Sequence, residues 1–272
     1  MYHTVLFIIG CFCLHSQKIS AQQPGIKDFN LVSEKSVIKD TTVLVQGIFV
    51  KMRLLLPEVT QKNKKVPVIY IINTDSAYVL NQELCESLST AAQKEYPAAI
   101  IIELKNFGKG FADAEITEIA PYILYTKKYI DKQYLTITEP STSIITGYRQ
   151  CAPVAVQLTL NHPDIFGRSG VFLGDFSLFP DFDEWLRDNA DKMNGMMFLH
   201  SLDKDRSGNG KILNDLMDQV GSHSKGLLYN FLDNFSEKQI NTNASFIEFY
   251  KWILSNGHNY IIHAQEKIKI RS

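Results

Sequence analysis

Short apolar runs alternate with helically periodic segments along most of this chain. Unbroken or nearly unbroken apolar runs are typical of strands covered on both faces, and they lie at residues 68–72, 99–104, 143–146, 170–173 and 195–200. Between them, apolar residues recur every three or four positions, which predicts helices through Leu84 and Leu88, over 115–134 and over 154–160. Strands that alternate with helices imply parallel pairing through right-handed crossovers. We therefore predict an α/β protein whose mostly parallel central sheet carries helices on both faces.

The segment before the first of these runs predicts an antiparallel hairpin. Residues 42–56 read as two strands with a bend near Gly47, and Pro57 ends the second strand. Residues 22–39 are polar and lack periodicity, so we expect them to be a leader to the fold. A chain of 272 residues with 45% hydrophobic content can bury one sizeable core. We therefore expect residues 40–272 to form a single domain.

The N-terminus has the layout of a secretory signal peptide. An apolar run from Val5 to Leu14 is followed by small residues that end at Ala21, and the run is too short to span a bilayer. Residues 1–21 are therefore expected to be removed, which makes the mature chain secreted or periplasmic and without a transmembrane span. Two alternatives stay open, a retained anchor and a lipoprotein in which Cys11 is lipidated.

Charge and cysteine content exclude several classes of function. The formal net charge is −1, so the chain has no basic field that would attract nucleic acid. Cys85 and Cys151 are the cysteines outside the signal peptide, and the helices that carry them should cover opposite faces of the sheet. We expect both to be buried small side chains. Residues 203–214 resemble a calcium loop, but Asn214 replaces the closing carboxylate, so no metal and no cofactor is predicted.

Residues 143–167 predict a buried strand, a sharp turn and a helix, the frame in which serine hydrolases present their nucleophile. In the Gly-x-Ser-x-Gly turn of those enzymes, the serine occupies the strained tip. This chain has Gly147, Tyr148, Arg149, Gln150 and Cys151 there instead. A guanidinium is permanently charged and has no lone pair that can attack an ester.

Three segments of the chain resemble the esterase D family, which includes enterochelin, feruloyl and acetylxylan esterases. They are VPVIYIINTD at 66–75, GYRQCAPVAVQLTLNHPDIFG at 147–167 and SNGHNYIIHA at 255–264. The similarity extends over nearly the whole mature chain, and the middle segment is the most specific. It implies an α/β-hydrolase fold.

The resemblance also assigns site residues. Arg149 stands at the position of the family serine, His258 at that of the histidine, and Asp205 at that of the acid, with Asp203 as the alternative. The oxyanion hole would use the backbone N–H of Gln150 and one near Thr74, and Tyr148 completes the predicted binding set. A second register leaves the histidine position near Glu237 or Lys238, because FIEFYKWIL at 246–254 fits helix and strand equally well. His258 as a helix cap and both aspartates as solvated loop residues are the ordinary alternatives.

These residues suggest three functions. The first hypothesis is a secreted esterase relative that has lost its nucleophile and binds an anionic or acylated carbohydrate or a siderophore-type ligand. The second is an active carboxylic-ester hydrolase with an unrecognised nucleophile. The third is a scaffold for a protein partner, in which Arg149 fills the former pocket with an internal salt bridge.

Overall fold

The computed structural model describes the part of the chain that holds the sheet and its covering helices, namely residues 36–45, 47–57, 64–74, 79–94, 96–105, 116–177, 179, 181–202, 216–220, 226–232 and 242–255. The sheet has eight strands in the order β1-β2-β4-β3-β5-β6-β7-β8. Their bounds are β1 Val37–Val45, β2 Ile48–Leu56, β3 Val68–Ile72, β4 Ile100–Lys105, β5 Ser143–Tyr148, β6 Arg168–Phe172, β7 Met196–Leu202 and β8 Gly226–Leu232.

Six neighbouring strands, β4, β3, β5, β6, β7 and β8, are parallel, and the hairpin adds two antiparallel strands at one edge. The hairpin turns at Gly47, whose φ is +84°, a conformation that glycine adopts without strain. The predicted antiparallel start and mostly parallel centre are both confirmed. β1 begins at Val37, inside the segment expected to be polar leader.

Helices cover both faces of the sheet. They are α1 Gln82–Lys94, α2 Ile116–Gln133, α3 Ala152–Asn161, α4 Phe182–Asn189 and α5 Thr242–Leu254. The helices α2 and α3 pack on one face against alternate residues of β2, β3 and β4. The helices α1 and α5 pack on the other face. The helix α4 joins α3 over β6 and β7.

Burial explains which segments the sequence pattern predicted well. All five residues of β3 and all six of β4 are buried, as their apolar runs indicate. The strand β8 and the helix α4 were not predicted. The ambiguous segment at 246–254 is helical, as part of α5. In the described residues, no helix is both long enough and apolar enough to cross a bilayer.

Candidate functional site

Arg149 lies at the apex of the turn between β5 and α3. The strand ends at Tyr148, and a single 3-10 turn, Arg149–Cys151, leads into the helix. The φ angle of Arg149 is +51°, in the left-handed region where a side chain with a Cβ is strained. Strain of this kind persists only where the surrounding structure imposes it, and it concentrates at functional turns. The sequence-predicted strand, turn and helix are therefore present, with the arginine at the strained tip.

Gly147 makes the turn tight enough for α3 to pass over the end of β5. A Cβ at this position would lie 2.5 Å from the Cα of Ala152 and closer still to the carbonyl oxygen of Cys151. Both neighbours are backbone atoms of the turn and the helix, so neither can move without displacing α3. The first glycine of the motif is therefore required for the close approach of α3 to the end of β5.

The start of α3 provides a positive environment beside Arg149. The side chain of the N-cap residue, Cys151, makes no capping hydrogen bond, and Pro153 occupies one of the first positions of the helix. The N-terminal end of a helix carries a partial positive charge. Arg149 is half-buried, with its Cζ 5.5 Å from the ring centroid of Tyr148. The permanent positive charge of Arg149 therefore lies beside the positive, N-terminal end of the α3 dipole.

Thr74 comes to the same place from the end of β3. Its Oγ1 lies 3.6 Å from the Sγ of Cys151, which is fully buried. The strands β3 and β5 are adjacent and parallel, so their carboxyl ends meet at one edge of the sheet. The side chains of Thr74 and Gln150 are exposed there, and those of Tyr148 and Arg149 are half-buried. The four residues of the predicted binding set thus lie together on one accessible surface.

The segment after β6 borders this surface, and sequence reasoning missed it. The backbone N–H of Asp175 donates to the carbonyl oxygen of Arg149 at 3.1 Å. The carboxylate of Asp175 accepts the N–H and the hydroxyl of Ser177 at 3.0 and 2.6 Å. Leu173, just before it, has a φ of +50°. A glycine and an aspartate directly after a buried strand, in the sequence VFLGDFS, were the signal that could have identified this segment.

The predicted triad partners fall outside the described residues. These are Asp205 and its alternative Asp203, His258, and the rival positions Glu237 and Lys238. The calcium-like loop at 203–214 lies outside them too. Cys85 and Cys151 are buried thiols that are not joined in a disulfide, as the sequence predicted.

A serine and a histidine that the sequence did not single out contact each other elsewhere. Ser245 Oγ of α5 lies 3.0 Å from Nε2 of His200 of β7. The exposed fractions are 7% for Ser245 and 1% for His200. Burial lowers the pKa of His200 to about 4, so the imidazole is neutral near pH 7. Its ring packs against Phe172, at a centroid distance of 6.0 Å, in the aromatic core under α5. The pair is therefore a hydrogen bond within the core.

No protein-family model and no curated protein sequence matches this chain. Several solved structures, in contrast, superpose well on this chain. A ferulic acid esterase superposes with a TM-score of 0.63 at 14% identity, over 82% of this chain and 99% of its own. A ferulic acid esterase from Anaeromyces mucronatus, in complex with ferulic acid, gives 0.61 at 15% identity, over 80% and 91%. An S-formylglutathione hydrolase from Staphylococcus aureus gives 0.60 at 11% identity, over 80% and 99%.

The chain has the α/β-hydrolase fold. At identities this low the likeness establishes the fold, and the chemistry has to be argued from the site. In α/β-hydrolases the nucleophile occupies a sharp strand-to-helix turn at the carboxyl edge of the sheet, and the oxyanion hole uses the residue after it and a loop near the end of a neighbouring strand. The surface formed by Thr74, Tyr148, Arg149 and Gln150, hereafter the Arg149 site, occupies that edge.

Proposed function

We propose that this protein is a secreted relative of the esterase D-type esterases that binds its ligand without cleaving it. One observation carries the proposal: Arg149 occupies the strained apex of the strand-to-helix turn, with a φ of +51°. An α/β-hydrolase presents its nucleophile from such a turn. A guanidinium cannot attack an ester, and removal of a catalytic serine typically costs about a millionfold in turnover.

The residues after the apex also argue against cleavage. Cys151 and Ala152 stand where the esterase D pattern has two consecutive glycines after the nucleophile, and both side chains are buried. Cys151 directs its Sγ towards Thr74, at the edge where an oxyanion hole would form. Side chains thus occupy space that the esterase motif leaves free for the helix and the tetrahedral intermediate. Cys151 itself is fully buried, so it is a poor substitute nucleophile.

The ligand that fits this site is an anion. Arginine binds carboxylate groups through paired hydrogen bonds, and the N-terminus of α3 favours the same charge. The exposed Thr74 and Gln150 can hydrogen-bond the rest of the ligand. We therefore propose a carboxylated or acylated carbohydrate fragment, or a siderophore-type compound, as the ligand class. The ferulic acid bound to one structural neighbour supplies a convenient aromatic carboxylate as a probe.

Two measurements on matched variants test the proposal. The wild type should bind ferulate in calorimetric titration, and Arg149→Gln should weaken binding by about tenfold or more, because a charge-assisted hydrogen bond is lost. Arg187→Gln, which removes an exposed arginine of α4, is the control with the same change of charge. The wild type should not hydrolyse p-nitrophenyl acetate, and a gain of turnover in Arg149→Ser would show that the other parts of the esterase site are retained. Wild-type turnover that survives Arg149→Ala would contradict the proposal.

An active carboxylic-ester hydrolase is the second candidate, and the contact of 3.0 Å between Ser245 and His200 is the observation that favours it. The near-complete burial of both residues opposes it, because an ester cannot reach the hydroxyl. Loss of wild-type turnover in Ser245→Ala, at unchanged stability, would establish this pair as catalytic.

A scaffold for a protein partner is the third candidate. Leu44 and Phe49 face each other across the hairpin and are 61% and 63% exposed, which gives that edge an apolar contact surface. A wild type that neither binds ferulate nor hydrolyses esters would favour this function.

A further inference from the structure

A buried carboxylate on β4 contacts the connection that includes Thr74 of the Arg149 site. Glu103 belongs to β4, whose other residues up to Leu104 are isoleucines and a leucine, and its side chain is 0% exposed. Its oxygens accept the side-chain N–H of Asn73 at 2.7 Å and the backbone N–H groups of Val79 and Leu80 at 3.0 and 2.8 Å. All three donors belong to the connection between β3 and α1. Glu103 therefore holds this connection at both of its ends.

Cations on two strands complete the arrangement. The Nζ of Lys105 lies 3.8 Å from Glu103 Oε1. Arg53 of β2 donates to the carbonyl oxygen of Leu80 at 3.3 Å and pairs with Asp40 at 2.7 and 2.8 Å. Both backbone groups of Leu80 are thus bound by charged side chains of the sheet.

A carboxylate in this position is costly for the fold. Burying an ionised group is unfavourable unless hydrogen bonds and an opposite charge compensate, and an apolar residue often serves stability as well or better. The partners of Glu103 are concentrated on one connection, and the first of them, Asn73, is followed directly by Thr74. The hydroxyl of Thr74 lies 3.6 Å from Cys151 at the start of α3.

We propose that Glu103 is the positioning residue of the Arg149 site. Its carboxylate holds Asn73 and Leu80 in place and thereby sets Thr74 against Cys151. The effect on ligand binding rests on the proposed function, whereas the effect on the position of the connection does not.

The test compares Glu103→Gln with Asp131→Asn. Asp131 of α2 also accepts two short bonds, from Lys127 Nζ and Thr136 Oγ1, both at 2.7 Å, within α2 and the segment after it. An amide at 103 keeps the size but turns a donor towards N–H groups, so amide hydrogen exchange in the peptide over 73–84 should accelerate by about tenfold or more. Asp131→Asn should leave exchange in that peptide unchanged.

Ferulate binding is the second readout. Glu103→Gln should raise the dissociation constant for ferulate by about tenfold. In the double variant, Thr74→Val should raise it little further, because both changes act through the position of Thr74 against Cys151. Asp131→Asn should leave the dissociation constant unchanged. Should Glu103→Gln fail to fold, Asn73→Leu removes one donor and should change both readouts in the same direction by a smaller factor.

Unaltered exchange over 73–84 in Glu103→Gln overturns the proposal, as does unaltered ferulate affinity despite faster exchange. Additive effects of Glu103→Gln and Thr74→Val on affinity also overturn it. A wild type that does not bind ferulate refutes the proposed function instead. In that case, faster exchange over 73–84 in Glu103→Gln alone still supports the positioning role of Glu103. Equally fast exchange over 73–84 in Asp131→Asn refutes that role.

Discussion

The immediate surroundings of several residues limit which backbone conformation or side chain can occur at those positions. Arg149 adopts a left-handed backbone conformation in the short turn between the end of β5 and the start of α3, a strain that only the surrounding structure can maintain. Gly147 is required two positions earlier for a different reason, since the backbone of α3 occupies the space of its missing Cβ. His200 and Glu103 are polar groups inside apolar layers, each with specific partners.

The two kinds of glycine constraint predict different costs of substitution. Gly147→Ala places a methyl group against backbone atoms, so we expect it to lower the free energy of unfolding by more than about 3 kcal/mol. Gly47→Ala adds a methyl group with nothing within 4 Å, and only its φ of +84° opposes it. We expect a loss of about 1 kcal/mol there. Urea unfolding of the two variants checks the difference, and equal losses would contradict the steric account.

His200 predicts a loss of stability in mild acid. Its pKa is about 4 in the folded protein, against 6.5 for an ordinary histidine, so the unfolded chain binds more protons between these values. Stability should therefore fall as the pH drops below 6.5, by about 2 kcal/mol from pH 7.5 to pH 5. His200→Gln should remove this component, and His162→Gln is the control for a half-buried histidine. A pH profile unchanged by His200→Gln would show that other groups cause the dependence.

At the scale of elements, periodicity predicted the five parallel strands from β3 to β7 well because they are covered on both faces. The strand β3 has the predicted bounds, and β4, β5, β6 and β7 lie within a few residues of theirs. The helix α5 was ambiguous because its segment FIEFYKWIL is apolar on most sides. Its aromatic rings meet those of β6 and β7, with centroids of Phe249 and Phe172 at 5.4 Å and of Trp252 and Phe198 at 6.2 Å. Packing on the sheet, which no local pattern encodes, determined that it is a helix.

The packing of α5 predicts a strong contrast between two phenylalanines. Phe249 is fully buried and contacts the rings of Phe172, Phe198 and Phe246, so Phe249→Ala should lower the free energy of unfolding by about 3–5 kcal/mol. Phe49→Ala removes the same side chain from an exposed position of the hairpin and should change it by less than about 0.5 kcal/mol. Thermal unfolding of both variants measures this, and a small loss in Phe249→Ala would mean that α5 does not stabilise the sheet.

At the scale of the whole molecule, the α/β-hydrolase fold and the proposed loss of the nucleophile support the proposed binding role. The ferulate titration and the absence of wild-type turnover test that role. The proposed export depends on residues 1–21, whose apolar run ends before the small residues that precede Gln22.

Export makes a separate prediction about the mature chain. When the full-length protein is expressed with an active secretion pathway, we expect its mass and N-terminal sequence to show cleavage after Ala21. Ala21→Arg should block cleavage, because the signal peptidase requires a small residue there. A mass that retains residues 1–21 would favour the anchor, and a lipid on Cys11 would favour the lipoprotein alternative.

The sequence by itself determined the alternation of strands and helices, the antiparallel start, and the arginine in the turn that follows the buried strand at 143–148. These features are local, because burial on both faces leaves an apolar run and a tight turn requires a glycine. Only the tertiary structure decided that Thr74 meets Cys151, that Asp175 borders Arg149, and that Glu103 holds the connection beside them. Those contacts join residues far apart in the chain, and they arise from the order of the strands, which hydrophobic periodicity does not specify.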